Sequence, residues 1–172
     1  MRYLITLLLL LLPMSAAGCA RDHFSIDPEF RPLEEIRERP AGLGGNDTTI
    51  TTVGRTCYVI HLDDWLGLFP PGSVDFRSKM LHEQQHALRQ QQDGLIDWLA
   101  HYETDTTWMW HEESLGWYYE LRTLQAGGRP VDAVAVASVL TSYRNMVGKM
   151  VDFDTAKAWV EAVLQGRWQP AH

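Results

Sequence analysis

One polar stretch constrains this chain more than any other: KMLHEQQHALRQQ, residues 79–91. Within it, His82, Glu83 and His86 form the pattern H-E-x-x-H. Side chains four residues apart lie on one face of an α-helix, so both histidines can direct an imidazole at the same metal ion. Glu83 is one step round the helix, where it can accept a proton from a water that the ion makes acidic. The pattern therefore predicts a helix that carries a zinc site.

The same stretch has a plainer interpretation as a solvated, glutamine-rich helix face. Gln84, Gln85 and three further glutamines at 90–92 surround the motif. A solvated face accounts for these residues but not for the paired histidines. In a chain of this composition H-E-x-x-H is expected by chance only about 0.02 times. Metal binding therefore explains more of the pattern.

A catalytic zinc ion needs three protein ligands and one open position. The HExxH helix does not supply the third ligand in the way a longer HExxHxxGxxH motif would, because those places hold Arg89 and Gln92. The next candidates lie in DTTWMWHEESLGWYYEL, residues 105–121. They are His111, Glu112, Glu113 and Glu120. The third ligand is therefore expected from a second helix.

Gly116 narrows this choice. A glycine inside a helix costs ~1 kcal/mol relative to alanine, so a close approach to the HExxH helix is expected there. Glu113 precedes it by three residues and Glu112 by four, so either can share its face, whereas His111 faces elsewhere. Glu120 lies two turns after Glu113 and is expected to support a ligand. An ordinary aromatic core helix with exposed acids is the alternative.

The first eighteen residues are predicted to be a bacterial export signal. Arg2 precedes an apolar run at 3–12, which is too short to span a bilayer. Small residues at 15–18 then precede Cys19, an arrangement that resembles the lipobox of bacterial lipoproteins. The resemblance implies cleavage before Cys19 and lipid attachment to it. Because alanine follows the cysteine, it also implies a location at the outer membrane, facing the periplasm.

The rest of the chain is predicted to be a short tether (19–26) and a single domain (27–172). With 45% hydrophobic residues the domain can bury a real core. A formal charge of −7 argues against nucleic acid as a partner. Lipidation of Cys19 leaves Cys57 as the other cysteine, so the mature domain has no internal disulfide and no cysteine-based zinc site. Cys57 is expected to be an inert core residue.

The predicted fold class is α+β, with a small β-hairpin or sheet packed on a mainly helical domain. Asp27-Pro28 predicts a helix start, and the following residues predict a short helix over 33–39. TTITTV (48–53) and TCYVIHL (56–62) predict a hairpin. Further helices are predicted over 74–92, 95–103, 106–125, 132–143 and 154–165.

Residues 48–125 resemble the gluzincins, zinc metallopeptidases with H-E-x-x-H on one helix and a ligand glutamate on a later one. The smallest members place a small residue and an aromatic after that glutamate, as Gly116 and Trp117 follow Glu113. The resemblance therefore implies Zn²⁺ held by His82, His86 and Glu113. Larger gluzincins often carry an aspartate where this chain has Trp117, so support for a ligand histidine must come from elsewhere.

The resemblance further implies a peptidase, with Glu83 as general base and a peptide or protein as substrate. It implies that TCYVIHL lines the substrate cleft, and that an oxyanion donor follows the glutamate helix, with Tyr143 as the candidate. Other candidates for this donor are Tyr118, Tyr119, His101 and His111. Two alternatives stay open: a zinc-binding envelope lipoprotein without turnover, and a helical lipoprotein with a fortuitous motif. The oligomeric state is not indicated.

Replacing Cys19 with serine is expected to abolish lipid attachment, because serine has no thiol to carry the lipid. Labelling of cells with a tagged fatty acid should mark the wild-type chain and leave the variant unmarked. A wild-type chain recovered unmodified from the cytoplasm would contradict both the lipoprotein prediction and the envelope location.

Overall fold

The computed structural model describes residues 23–40 and 49–170. The predicted signal peptide and the predicted lipid attachment site, Cys19, lie outside the described residues. Among the helices that are described, none is both long and apolar enough to cross a membrane.

The α+β prediction is confirmed by a small mixed sheet followed by helices. The strands are β1 (His23–Ser25), β2 (Glu35–Glu38), β3 (Thr51–Val53) and β4 (Thr56–Val59). Their order across the sheet is β1-β2-β4-β3. β2 and β4 are parallel, and the two outer pairs are antiparallel. β3 is therefore an edge strand, joined to β4 by a tight turn in which Gly54 has a φ of +63°.

Six helices follow the sheet in the described part of the chain. They are α1 (Leu62–Leu68), α2 (Val74–Asp93), α3 (Leu95–Thr104), α4 (Thr106–Ala126), α5 (Ala133–Leu140) and α6 (Phe153–Leu164). The hydroxyl of Ser73 caps α2 by accepting from the Phe76 N–H. Asp105 caps α4 by accepting from the backbone N–H groups of Thr107 and Trp108. The two long helices, α2 and α4, pack against each other and hold the residues singled out in the sequence.

The predicted helix over 33–39 is wrong, because this segment forms β2. Its glutamates and arginines favour helix locally, but Ile36 is fully buried opposite Cys57 of β4, while Glu35 is half-buried and Arg37 is exposed. Pairing with strands distant in sequence thus overrides local propensity. Asp27-Pro28 does begin a helix, but a single 3₁₀ turn that ends at Phe30.

Two further boundaries differ from the prediction. The segment expected to be a tether enters the fold, since His23–Ser25 forms β1 and Ile26 is buried. The strand predicted over 56–62 ends at Val59, and its last residue begins α1 instead. The reason for the second difference is that Leu62 and Trp65 bury one face of a helix against the sheet.

Buried apolar side chains form two clusters, one on each side of the α2–α4 pair. The cluster between the sheet and α2 includes Ile36, Cys57, Val59, Trp65, Phe76 and Met80. The cluster between α4 and the last two helices includes Trp117, Leu121, Leu140, Val160 and Val163. The seam between α2 and α4 therefore lies between two apolar clusters, and buried polar side chains line it.

Candidate metal centre

Helix α2 brings the two motif histidines together inside the protein. His82 and His86 are both buried, and their Nε2 atoms lie 3.1 Å apart. Glu83 is also buried and lines the same site. The i, i+4 spacing therefore produces the common face that the sequence predicts.

Glu113 of α4 completes the cluster. Its Oε2 lies 3.5 Å from His82 Nε2, and its Oε1 lies 3.6 Å from His86 Nε2. The three ligand atoms all lie within 4.8 Å of one another. Two ring nitrogens and a carboxylate thus converge on one point from two helices.

This donor set fits a zinc ion. Two imidazoles and one glutamate are a known catalytic zinc set. Among the described residues, Glu113 Oε2 is buried without a hydrogen-bond partner. Burial of the His82 ring lowers its pKa, whereas the nearby carboxylates of Glu113 and Glu120 raise it, with a result of about 10. The surroundings therefore favour a positive charge at the point where these atoms meet.

A lysine and a glutamate orient His82. Glu120 Oε2 lies 2.9 Å from His82 Nδ1, and Lys79 donates to Glu120 Oε1 over 2.6 Å. Burial raises the pKa of Glu120, but Lys79 and His82 lower it to about 2, so Glu120 is a carboxylate. A carboxylate accepts the proton on Nδ1, so Nε2 is the ring nitrogen of His82 that faces Glu113 and His86. Glu120 therefore orients a candidate ligand histidine, as its position in the sequence led us to expect.

Glu112 and Glu113 occupy different environments. Glu112 faces away from the histidines and accepts hydrogen bonds from Arg89 Nε at 3.1 Å and Trp98 Nε1 at 3.0 Å. His111 is 71% exposed at its side chain and also lies outside the cluster. The helix therefore places Glu113, rather than Glu112 or His111, beside the two histidines.

Gly116 is required by the contact between the two helices. A Cβ built at this position would lie 2.6 Å from Cδ2 and Nε2 of His82, which is closer than side chains pack. The His82 ring thus occupies the space that a side chain on α4 would take. The close approach expected from the sequence occurs at a candidate ligand.

Two hydroxyl contacts were not predicted. Tyr102 of α3 donates a hydrogen bond to Glu113 Oε1, and burial together with the Glu113 charge raises the pKa of Tyr102. Thr52 of β3 donates to Glu83 Oε2 over 2.8 Å. Neither residue belongs to a sequence motif, so only the packing of four separate elements brings them to the site.

The cluster opens into a cleft of about 510 Å³. One wall is the segment 49–53, which contains β3, and the other contains residues of α3 and the start of the loop after α5. The expectation that TCYVIHL lines the cleft is wrong, because β4 lies inside the sheet and β3 occupies its edge. Tyr143 lines the cleft, and burial followed by the Glu113 charge raises its pKa. The other candidate oxyanion donors do not line it.

Comparison with protein-family models, with curated proteins and with solved structures found no match to this chain.

Exchange of each neighbouring glutamate for glutamine should distinguish their roles. The wild-type domain is expected to bind about one zinc ion per chain. Glu113→Gln removes an anionic ligand and should weaken zinc binding by about 100-fold or more. Glu112→Gln should change it by less than about threefold, since Glu112 faces Arg89 and Trp98. Competition with a chromophoric chelator measures both; the opposite pattern would contradict the assignment of the ligand.

Gly116→Ala should displace the His82 ring, because the added methyl group cannot fit beside it. We expect a loss of about 1–3 kcal/mol in the free energy of unfolding and weaker zinc binding. Gly67→Ala is the matched control, since Gly67 is also helical and its Cβ would meet nothing within 4 Å. Denaturant unfolding measures the stability of both variants. Equal changes in stability would contradict the close contact between Gly116 and His82.

Proposed function

We propose that this protein is a zinc-dependent peptidase of the cell envelope. The observation that carries the proposal is the convergence of His82, His86 and Glu113, with Glu83 beside them, at the floor of an open cleft. Two histidines and a glutamate would hold the ion, and the cleft would admit a substrate. When bound, zinc supplies a Lewis acid that polarises a carbonyl and makes water a stronger nucleophile at neutral pH.

Glu83 supplies the base in this proposal. Glu83 is 4% exposed and lies next to the cluster without belonging to the three ligand residues. From this position it takes a proton from the attacking water and passes it to the departing amine. Tyr143 lines the same cleft and, because its raised pKa keeps the phenol protonated, its hydroxyl is available to stabilise the developing oxyanion.

A peptide is the substrate class that suits the shape of the cleft. β3 is an edge strand and forms one wall. An extended peptide that lies along this wall would present its scissile bond to the cluster. The lipid anchor proposed at Cys19 would keep this activity at the membrane, facing the periplasm.

Glu83→Gln tests the mechanism. Glutamine keeps the size of the side chain but cannot take a proton, so zinc binding should persist while hydrolysis falls by about 10²–10⁴-fold. Glu161→Gln is the control, since Glu161 pairs with Lys157 on α6, away from the cleft. The assay uses the zinc-loaded protein with a fluorescent unstructured protein substrate.

Three results of this assay have different meanings. Zinc binding with no hydrolysis by the wild type would favour the non-catalytic lipoprotein. Equal hydrolysis by Glu83→Gln and the wild type would remove Glu83 as the base. Failure of the wild type to bind zinc would contradict the whole proposal.

A further inference from the structure

The contact between β3 and the general base assigns a role to a residue outside every motif. We propose that Thr52 is the positioning residue for Glu83: its hydroxyl holds one carboxylate oxygen so that the other is presented to water. This inference rests on the proposed function for its catalytic consequence. The contact itself joins Thr52 Oγ1 to Glu83 Oε2 over 2.8 Å, and both side chains are buried.

The direction of the hydrogen bonds follows from the number of protons. Thr52 Oγ1 contacts both Glu83 Oε2 and, at 3.3 Å, Cys57 Sγ. A carboxylate only accepts, so the one hydroxyl proton goes to Glu83, and the Cys57 thiol must donate to Oγ1. Burial raises the pKa of Cys57 well above its usual value, which keeps that proton on sulfur. The thiol thus donates to the hydroxyl, and the hydroxyl donates to the carboxylate.

Gln90 sets the position of Thr52 relative to α2. Its Nε2 donates to the Thr52 carbonyl over 3.0 Å, and its Oε1 accepts from the Gly54 N–H over 2.6 Å. Gln90 lies one helical turn after His86, so the helix that carries the candidate ligands is also hydrogen-bonded to the strand. The Thr52 backbone therefore cannot shift away from α2 without breaking these bonds.

The backbone of β3 faces Gln90 for a reason visible in the sheet. The carbonyls of Arg55 and Val59 accept from residues 34 and 39 on the β2 side, so alternate residues of β4 turn their backbone towards β2. Cys57 lies between them in this alternation, and Thr52 is opposite Cys57. The Thr52 backbone consequently points away from β4, to the open edge, where Gln90 reaches it.

Restraint of this kind matters because the end of a glutamate side chain rotates easily. Its last torsion has a broad energy profile with no single preferred value. A hydrogen bond to one oxygen selects one orientation, and a base must be held within about half an ångström of its working position. Loss of the Thr52 hydroxyl would therefore reduce the fraction of time that Glu83 is correctly placed, without touching the three ligands.

The first test compares Thr52→Val, which has the same shape without the hydroxyl, with Thr52→Ser, which retains it. In the zinc-loaded full chain, kcat of Thr52→Val should fall by about 10- to 100-fold with KM within about twofold. Thr52→Ser should recover most of the loss, and zinc affinity should change by less than about twofold in both. Thr56→Val is the control, since Thr56 bonds to Glu35 on the other side of the sheet.

The second test does not need activity. Stabilities of the wild type, Thr52→Val, Glu83→Met (which has no oxygen to accept the hydrogen bond) and the double variant form a double-mutant cycle. Their effects on the unfolding equilibrium constant should depart from multiplicativity by about tenfold, as for a hydrogen bond to a charged group. If Thr52→Val does not fold, Thr52→Ala replaces it in the cycle.

The outcomes separate this inference from the proposed function. The role of Thr52 would be overturned if the two substitutions changed the unfolding equilibrium constant multiplicatively. It would also be overturned by a Thr52→Val variant with unchanged kcat, even if the wild type is a peptidase. An equal loss of kcat in Thr52→Ser and Thr52→Val would overturn it as well. A wild type that binds zinc and hydrolyses nothing would overturn the peptidase and its base together.

Discussion

The close approach of α2 and α4 at Gly116 is the contact on which the rest of the structure depends. The His82 ring takes the space of the missing side chain, and this brings the HExxH helix near enough for Glu113 to meet both histidines. A helix pair separated by an ordinary side chain could not make these contacts. The glycine is unfavourable for α4 alone, so its presence is explained by the tertiary contact.

Burial of several carboxylates at one seam sets the electrostatics of the site. Glu83, Glu113 and Glu120 are all buried there, and burial by itself disfavours charge on Glu113 and Glu120. Lys79 and His82 hold Glu120 in its ionised form, while His86, His82 and Tyr102 lower the pKa of Glu113. Negative potential is thus concentrated where the three ligand atoms meet, which is the arrangement that would attract a divalent cation.

The elements that support these residues come from four parts of the chain. Thr52 reaches Glu83 from an edge strand, Tyr102 reaches Glu113 from α3, and Lys79 and Glu120 act across the α2–α4 seam. Asn145 ties the loop that carries Tyr143 to α3 by donating to the Tyr102 carbonyl. The walls of the cleft are therefore hydrogen-bonded to the groups on its floor. Displacement of one wall would move the candidate ligands or the groups that support them.

Much of this arrangement was determined by the sequence alone, because it depends on helical periodicity. Spacings of three and four residues place His82 and His86 on one face and associate Glu113 with Gly116, and caps at Ser73 and Asp105 begin the two long helices. Such relations are local, and they hold wherever the helix lies. The position of Gly116 left both Glu112 and Glu113 possible, and the resemblance to the gluzincins favoured Glu113.

Only the tertiary structure decided which distant segments meet. Residues 35–38 have helical propensity but form a strand, because Ile36 is buried between β1 and β4. Thr52 and Tyr102 carry no signal in the sequence, since a single hydroxyl acquires a role only from the carboxylate placed opposite it. Strand pairing and packing between helices join residues tens of positions apart, and no local pattern encodes that separation.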